Sequence, residues 1–227
     1  MTRLKADLHA HCGDDAVDLI AYSAEMLIDA AAQLNIDVLA IACHERLVHS
    51  ARLAAYAERR SVLLMPAIEL LIEGKHVVVL NPSAGHVHAR TFEDLHALDR
   101  EDAVVLAPHP YFIKRVCLGR LLADNIDIFD AVEYSSFHFR GLNLNRRAIK
   151  IARESGLPML GTSDAHKLYS DRTHTWIEAE RTVAGVVEAI RAGRVAVETQ
   201  PQELAYGAWM VYFACRETVR QTIERLQ

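Results

Sequence analysis

The chain has 227 residues, 51% of them hydrophobic and 24% charged, with a formal net charge of −5. That length and balance suit one large soluble domain with a proper core, and nothing in the charge favours wholesale nucleic-acid binding, which leaves room for a local basic patch. The start, MTRLKADLHAHC, has no apolar signal core, and the longest apolar run, Leu204 to Cys215, is too short to span a bilayer.

In chain order, Leu4 to Leu8 reads as a weak first strand and Ala24 to Leu34 as an amphipathic helix. Strand Val38 to Ala42 (VLAIA), helix Arg46 to Arg59, and strands Val62 to Met65 and His76 to Leu80 follow. Helix Phe92 to Asp99 then precedes strands Val104 to Ala107 and Ala131 to Tyr134. Helix Leu142 to Glu154, strand Met159 to Gly161 and helix Val183 to Ala192 complete the pattern. The strands are mostly unbroken apolar runs, as in a parallel sheet buried on both faces. Strand–helix alternation means βα units, and six or seven of them predict a closed or nearly closed barrel; an open doubly wound sheet is the alternative. No GxGxxG or Walker A pattern offers a nucleotide cradle. Pro201 marks the expected end of the main domain (1–200). The tail (201–227), with Trp209, Tyr212 and Phe213, is predicted to be a helical extension packed on the barrel.

The four cysteines, Cys12, Cys43, Cys117 and Cys215, show no CxxC spacing and fit a reduced, cytoplasmic protein. The 12 histidines are the unusual feature. Asp7, His9 and His11 alternate along the first strand, which predicts that they share a face, with Asp7 orienting a ligating imidazole. His44 follows VLAIA, Glu69 follows VLLMPAI, His109 sits in Ala-Pro-His-Pro after VVLA, and Asp164 and His166 lie in GTSDAH after PML. In a barrel the carboxyl ends of the strands converge on one mouth. His76 precedes its strand and needs a short connection from Glu69 to reach that mouth. Neutral imidazoles with carboxylates suit zinc, iron or manganese.

In their order and strand context, DLHAH, ACHE, AIE, GKH, APHP and SDAH resemble the motifs of the PHP (polymerase and histidinol phosphatase) family over roughly residues 4 to 195. The resemblance implies a distorted (β/α)7 TIM-like barrel, a single domain, holding two or three divalent ions at its mouth. It implies one ion on His9, His11, Glu69 and Asp164, and a second on His44 and His166 with one more ligand. Glu69 is implied to bridge to a third site completed by His76 and His109. The family's acidic or histidine residue shortly after the HxH falls to Asp14, Asp15 or Asp18, with Asp15 and Asp18 the stronger candidates. The family's TDH is Ala42-Cys43-His44 here, so its aspartate is replaced by Cys43.

The implied reaction is attack of metal-bound hydroxide on a phosphate ester, with His9, His11, Glu69, Asp164 and His166 as catalytic residues and His166 or Asp164 handling protons. Lys114, Arg115, Arg140 and Lys167, shortly after strand ends, are candidates to hold the phosphate. Glu133, at the end of AVEY, is either a supporting acid or one facing a helix. The expected partner is a small phosphate ester, with a nucleic-acid end as a further option and no membrane. Two rival readings stand: an amidohydrolase-like enzyme, which would want a carboxylated lysine that no strand end supplies, and a catalytically silent metal-binding module.

Overall fold

The computed structural model describes residues 1–166 and 169–203. Its first half runs β1 (Thr2–Ala10), α1 (Ala24–Gln33), β2 (Val38–Ile41), α2 (Ala51–Glu58), β3 (Leu63–Ile72), β4 (Lys75–Leu80), α3 (Ala84–His88) and α4 (Phe92–Ala97). There follow β5 (Val104–Ala107), α5 (Leu121–Asp124), a 3-10 turn (Ile126–Ile128), β6 (Ala131–Ser135), β7 (His138–Phe139), β8 (Leu142–Asn143) and α6 (Arg146–Glu154). The described chain ends with β9 (Met159–Thr162), β10 (Thr173–Ala179), α7 (Val183–Arg191) and β11 (Val195–Thr199).

One sheet in the order β11-β10-β1-β2-β3-β4-β5-β6-β9 curls into a nearly closed barrel. At the mouth the end of β1 joins the segment after β9, where Asp164 N–H donates to His9 O (2.9 Å) and His11 N–H to Ala165 O (3.0 Å). The run from β1 through β6 to β9 contains seven strands, as the (β/α)7 expectation requires. It is not wholly parallel, however: β4 lies antiparallel to both β3 and β5. Sequence reading also missed β10 and β11, which extend the sheet antiparallel from β1. Gly161 in β9 permits that overlap, because a Cβ there would come within 2.7 Å of His174 O.

Leu4, Ala6, Leu8, Val38, Ala40, Met65, Ala67, Val78, Leu106, Ala131 and Leu160 fill the barrel, with α7 contributing Val186, Val187 and Ile190. Leu39, Ile41 and Leu64 pack outward on α1 and α2, and Ile68, Val79, Val105 and Val132 on the helices of the other side. Two predicted helices begin late, each at a residue that can open a helix. Ser50 caps α2 by accepting from Leu53 N–H, and Asn145 precedes α6. Residues 46–49 therefore lie outside α2, and Leu142–Asn143 form β8. Among the described residues no helix is long and apolar enough to cross a membrane. Of the predicted extension, 204–227 lie outside the described residues, as does Lys167.

Candidate metal centre

Three local features aim the side chains. Leu4, Ala6 and Leu8 face the barrel interior, so strict alternation would send His9 and His11 outward. The register of β1 against β2 shifts between Asp7 and Ala10, and this bulge turns both imidazoles inward. Asp7 therefore does not share their face. It accepts from the backbone N–H groups of Ser163 (3.0 Å) and His9 (3.4 Å), and burial pushes its carboxyl up to about 6.

The β3–β4 connection is the two-residue turn Glu73-Gly74, with φ of 48° and 76°. Positive φ at both residues makes a tight hairpin turn, for which glycine is suited. The hairpin explains how His76, ahead of its strand, returns to Glu69. His109 (φ 27°) and Asp164 (φ 47°) hold left-handed backbone conformations. Such strain costs roughly 1–3 kcal/mol per residue and persists where the surroundings fix it.

Four atoms from three strand ends face one point. His9 Nε2 and His11 Nε2 lie 3.1 Å apart. Glu69 Oε2 is 3.5 and 3.4 Å from them, and Asp164 Oδ1 is 3.6 and 3.3 Å away. Tetrahedral ligands about 2.1 Å from one divalent ion are separated by about 3.4 Å, the spacing seen here. Glu69 is shared: His44 Nε2 lies 3.0 Å from Oε2, while His76 Nδ1 (2.8 Å) and His109 Nε2 (3.3 Å) face Oε1. His11, His44 and His166 form a further trio of converging ring nitrogens.

Hydrogen bonds on the far side of the rings fix their orientation. His9 Nδ1 meets Glu133 Oε2 at 2.8 Å, with both side chains fully buried. Asp15 Oδ2 lies 2.9 Å from His11 Nδ1 and 3.0 Å from His44 Nδ1, and it accepts the His44 backbone N–H. A carboxylate at Nδ1 favours the proton there, which leaves the Nε2 lone pairs of His9 and His11 facing each other. Two lone pairs at 3.1 Å repel unless a proton or a metal ion lies between them. Glu69 Oε2, Asp164 Oδ1 and His76 Nδ1 are also buried without a hydrogen-bond partner. Polar atoms in that state cost roughly 1–3 kcal/mol each, and a bound cation would satisfy them. The donor set of imidazole nitrogens and carboxylate oxygens therefore fits divalent ions.

Charge points the same way. Burial works to raise the Glu69 and Asp164 carboxyls, but His76 and His9 hold Glu69, and His9 and His166 hold Asp164, well below their ordinary values. Burial works to lower His9 and His109, yet both are held well above theirs, His9 by Glu69, Asp164 and Glu133 and His109 by Cys117, Glu69 and Asp164. Within the cluster, His11 is lowered, by burial and by His166. Among the described residues, Glu69, Asp15, Glu133 and Asp164 pair only with histidines, with no Lys or Arg in reach.

His9, His11, His44, Glu69, His76, His109, Asp164 and His166 are thus gathered at one mouth. Asp15 stands behind the rings of His11 and His44, on their Nδ1 side. Asp18 stands at the half-exposed edge, 3.1 Å from His166 Nε2. Of the candidate phosphate cations, Lys114 lines the cavity over the cluster; Arg115 and Arg140 are exposed and do not. Sequence reading left the role of Glu133 open and assigned none to Cys117, whose Sγ lies 3.4 Å from His109 Nδ1. A signal for Glu133 existed: in AVEYS it sits two residues after inward-facing Ala131. Removing such a partner costs about 10- to 100-fold in metal affinity. Glu133→Gln is accordingly expected to weaken metal binding by that factor in competition with a chromogenic chelator. A change within twofold would show that Glu133 does not support His9.

Comparison with known proteins places this geometry. Residues 143–195 match the PHP-associated family model, and no curated protein matches the chain. A two-domain protein from Bacteroides vulgatus containing a predicted PHP-like metal-dependent phosphoesterase superposes with TM-score 0.67 at 20% identity, over 88% of this chain and 65% of that one. The lesion-specific endonuclease EndoQ from Pyrococcus furiosus gives 0.59 at 15% identity, over 86% and 58%. An amidohydrolase from Chromobacterium violaceum gives 0.52 at 16%, over 71% and 87%. The chain therefore spans less than two thirds of the length of the first two. These structures share the barrel fold with this chain, and the family match is confined to residues 143–195, from Asn143 through β9 and β10 to the start of β11.

Proposed function

We propose that this chain is a metal-dependent hydrolase of phosphate esters. The observation that carries the reading is Glu69, whose two oxygens face two different groups of histidines. A carboxylate so placed is suited to hold two ions close together, one completed by imidazoles from the end of β1 and the other by imidazoles from β4 and the loop after β5. His9, His11, Glu69 and Asp164 would hold one ion, His76, His109 and Glu69 a second, and His44 and His166 the remaining position. Ions bound there supply charge neutralisation to a phosphoryl group and acidify a water.

The chain's own residues do the rest. Glu133 and Asp15 lock the ring orientations. Lys114, on the exposed loop after β5, lines the cavity and would meet the phosphate's charge. His166, 28% exposed and beside Asp18, stands where a proton can pass between the site and solvent. Glu69 takes the bridging place that an amidohydrolase-like enzyme would give to a modified lysine, which favours the phosphoesterase reading. The PHP-like phosphoesterase and the endonuclease among the similar structures support phosphate chemistry and keep a nucleic-acid end among the candidate substrates.

Metal-replete protein should hydrolyse p-nitrophenyl phosphate or a 5′-phosphorylated oligonucleotide in preference to amides and lactones, and His9→Ala should abolish that rate. Equal rates in wild type and variant would remove the reading. Metal binding without turnover of any phosphate would favour a silent module.

A further inference from the structure

The cavity over the cluster is about 20 Å³. A single water needs roughly 10–15 Å³, so only the reacting atoms of a substrate fit inside. This inference rests on the phosphoesterase reading: a bound ester must then lay its alcohol portion over the cavity's outer edge. That edge carries Phe112 and Phe137, whose ring centroids are 4.9 Å apart with planes inclined by 30°.

Neither ring belongs to the three apolar clusters of the barrel and its helical layer, although Phe137 is itself buried. Both are held by the loops that deliver the cluster. Phe112 N–H donates to His109 O (3.0 Å), so its backbone is tied to a member of the cluster. Phe137 N–H donates to Ser135 Oγ, and the adjacent Ser136 Oγ donates to Ser163 O (2.8 Å), beside Asp164. Phe112 is half-buried and retains surface toward solvent, whereas Phe137 is buried and backs the Phe112 ring. A pre-positioned aromatic pair beside this small cavity favours a flat ring, which stacks in offset or edge-on geometry, over a puckered one of equal size.

We propose that Phe112 and Phe137 set substrate specificity by selecting phosphate esters whose alcohol portion carries a planar aromatic or heteroaromatic ring. The test measures binding, independently of turnover. Metal-replete protein is titrated calorimetrically with methylphosphonate, cyclohexylphosphonate and phenylphosphonate, which share the anionic head and differ in the attached group. Phenylphosphonate should bind about tenfold tighter than methylphosphonate, and clearly tighter than cyclohexylphosphonate. Phe112→Ala, and the volume-sparing Phe137→Leu, should each bring the phenyl-to-cyclohexyl ratio close to one while changing methylphosphonate affinity by no more than about twofold. Melting temperatures confirm that each variant is folded, and either variant alone suffices for the comparison. Equal affinity for the two rings in wild type, or an unchanged ratio in the folded variants, would overturn the proposal. In that case methylphosphonate binding leaves the phosphoesterase reading standing; binding of none of the three would remove both.

Discussion

Metal-replete protein should melt roughly 10 °C above the same protein stripped with chelator at pH 8, and the gap should shrink as the pH falls toward 6. An ion present at about a thousand times its dissociation constant stabilises the fold by roughly 4 kcal/mol, and a domain of this size gains about 2–4 °C per kcal/mol. The pH trend follows from the histidines. Although burial works to lower them, neighbouring carboxylates hold His9, His44 and His166 above their unfolded values, and Cys117 with Glu69 and Asp164 does so for His109. In the stripped protein, protons on these rings offset the buried carboxylates. That stabilisation is complete below the unfolded histidine value of about 6.5 and is lost as the pH rises through the higher folded values. Metal ions take over the same role without being titrated away. Differential scanning fluorimetry at several pH values reads both effects, and a melting temperature indifferent to chelator at pH 8 would contradict them.

The largest effect of a single substitution is expected at Glu69. Glu69→Gln keeps the shape but removes the negative charge and turns one oxygen into an amide donor. That donor would face either His44, His9 and His11 or His76 and His109, where an acceptor is required. Bound metal should fall to at most one ion per chain, and phosphate-ester hydrolysis by roughly a thousandfold, equivalent to about 4 kcal/mol of lost transition-state stabilisation. Chelator-treated wild type and variant should have similar circular dichroism, which separates the loss of metal from misfolding. A variant retaining the wild-type metal content would show that Glu69 does not bridge.

Much of this arrangement was legible in the sequence because strand ends are chemically conspicuous. VLAIA followed by His44, and VVLA followed by Ala-Pro-His-Pro, put polar residues immediately after apolar runs, where a barrel mouth collects them. The hidden parts depend on interactions that no local pattern displays. The bulge between Asp7 and Ala10 reverses which side chains face inward, so the shared face inferred for Asp7, His9 and His11 does not exist. Strands β10 (THTWIEA) and β11 (VAVET) mix polar and apolar residues because they continue the sheet beyond the buried run, and they lack the continuous apolar signature of the central strands. Asp15 and Asp18 could not be separated by spacing from His11. Their positions differ because Asp15 accepts the backbone N–H groups of Val17, Asp18 and His44, which fold the loop around it and turn Asp18 to the edge. Cys43 replaces an aspartate of the resembled motif, and Asp15, from a different strand end, provides the carboxylate beside His44 Nδ1.

The whole account depends on cations holding together the lone pairs that face one another between His9, His11, Glu69 and Asp164. Elemental analysis of protein purified without chelator tests this most directly. Two or more zinc, iron or manganese ions per chain are predicted, whereas less than half an ion per chain, unchanged after incubation with each metal, would contradict the account.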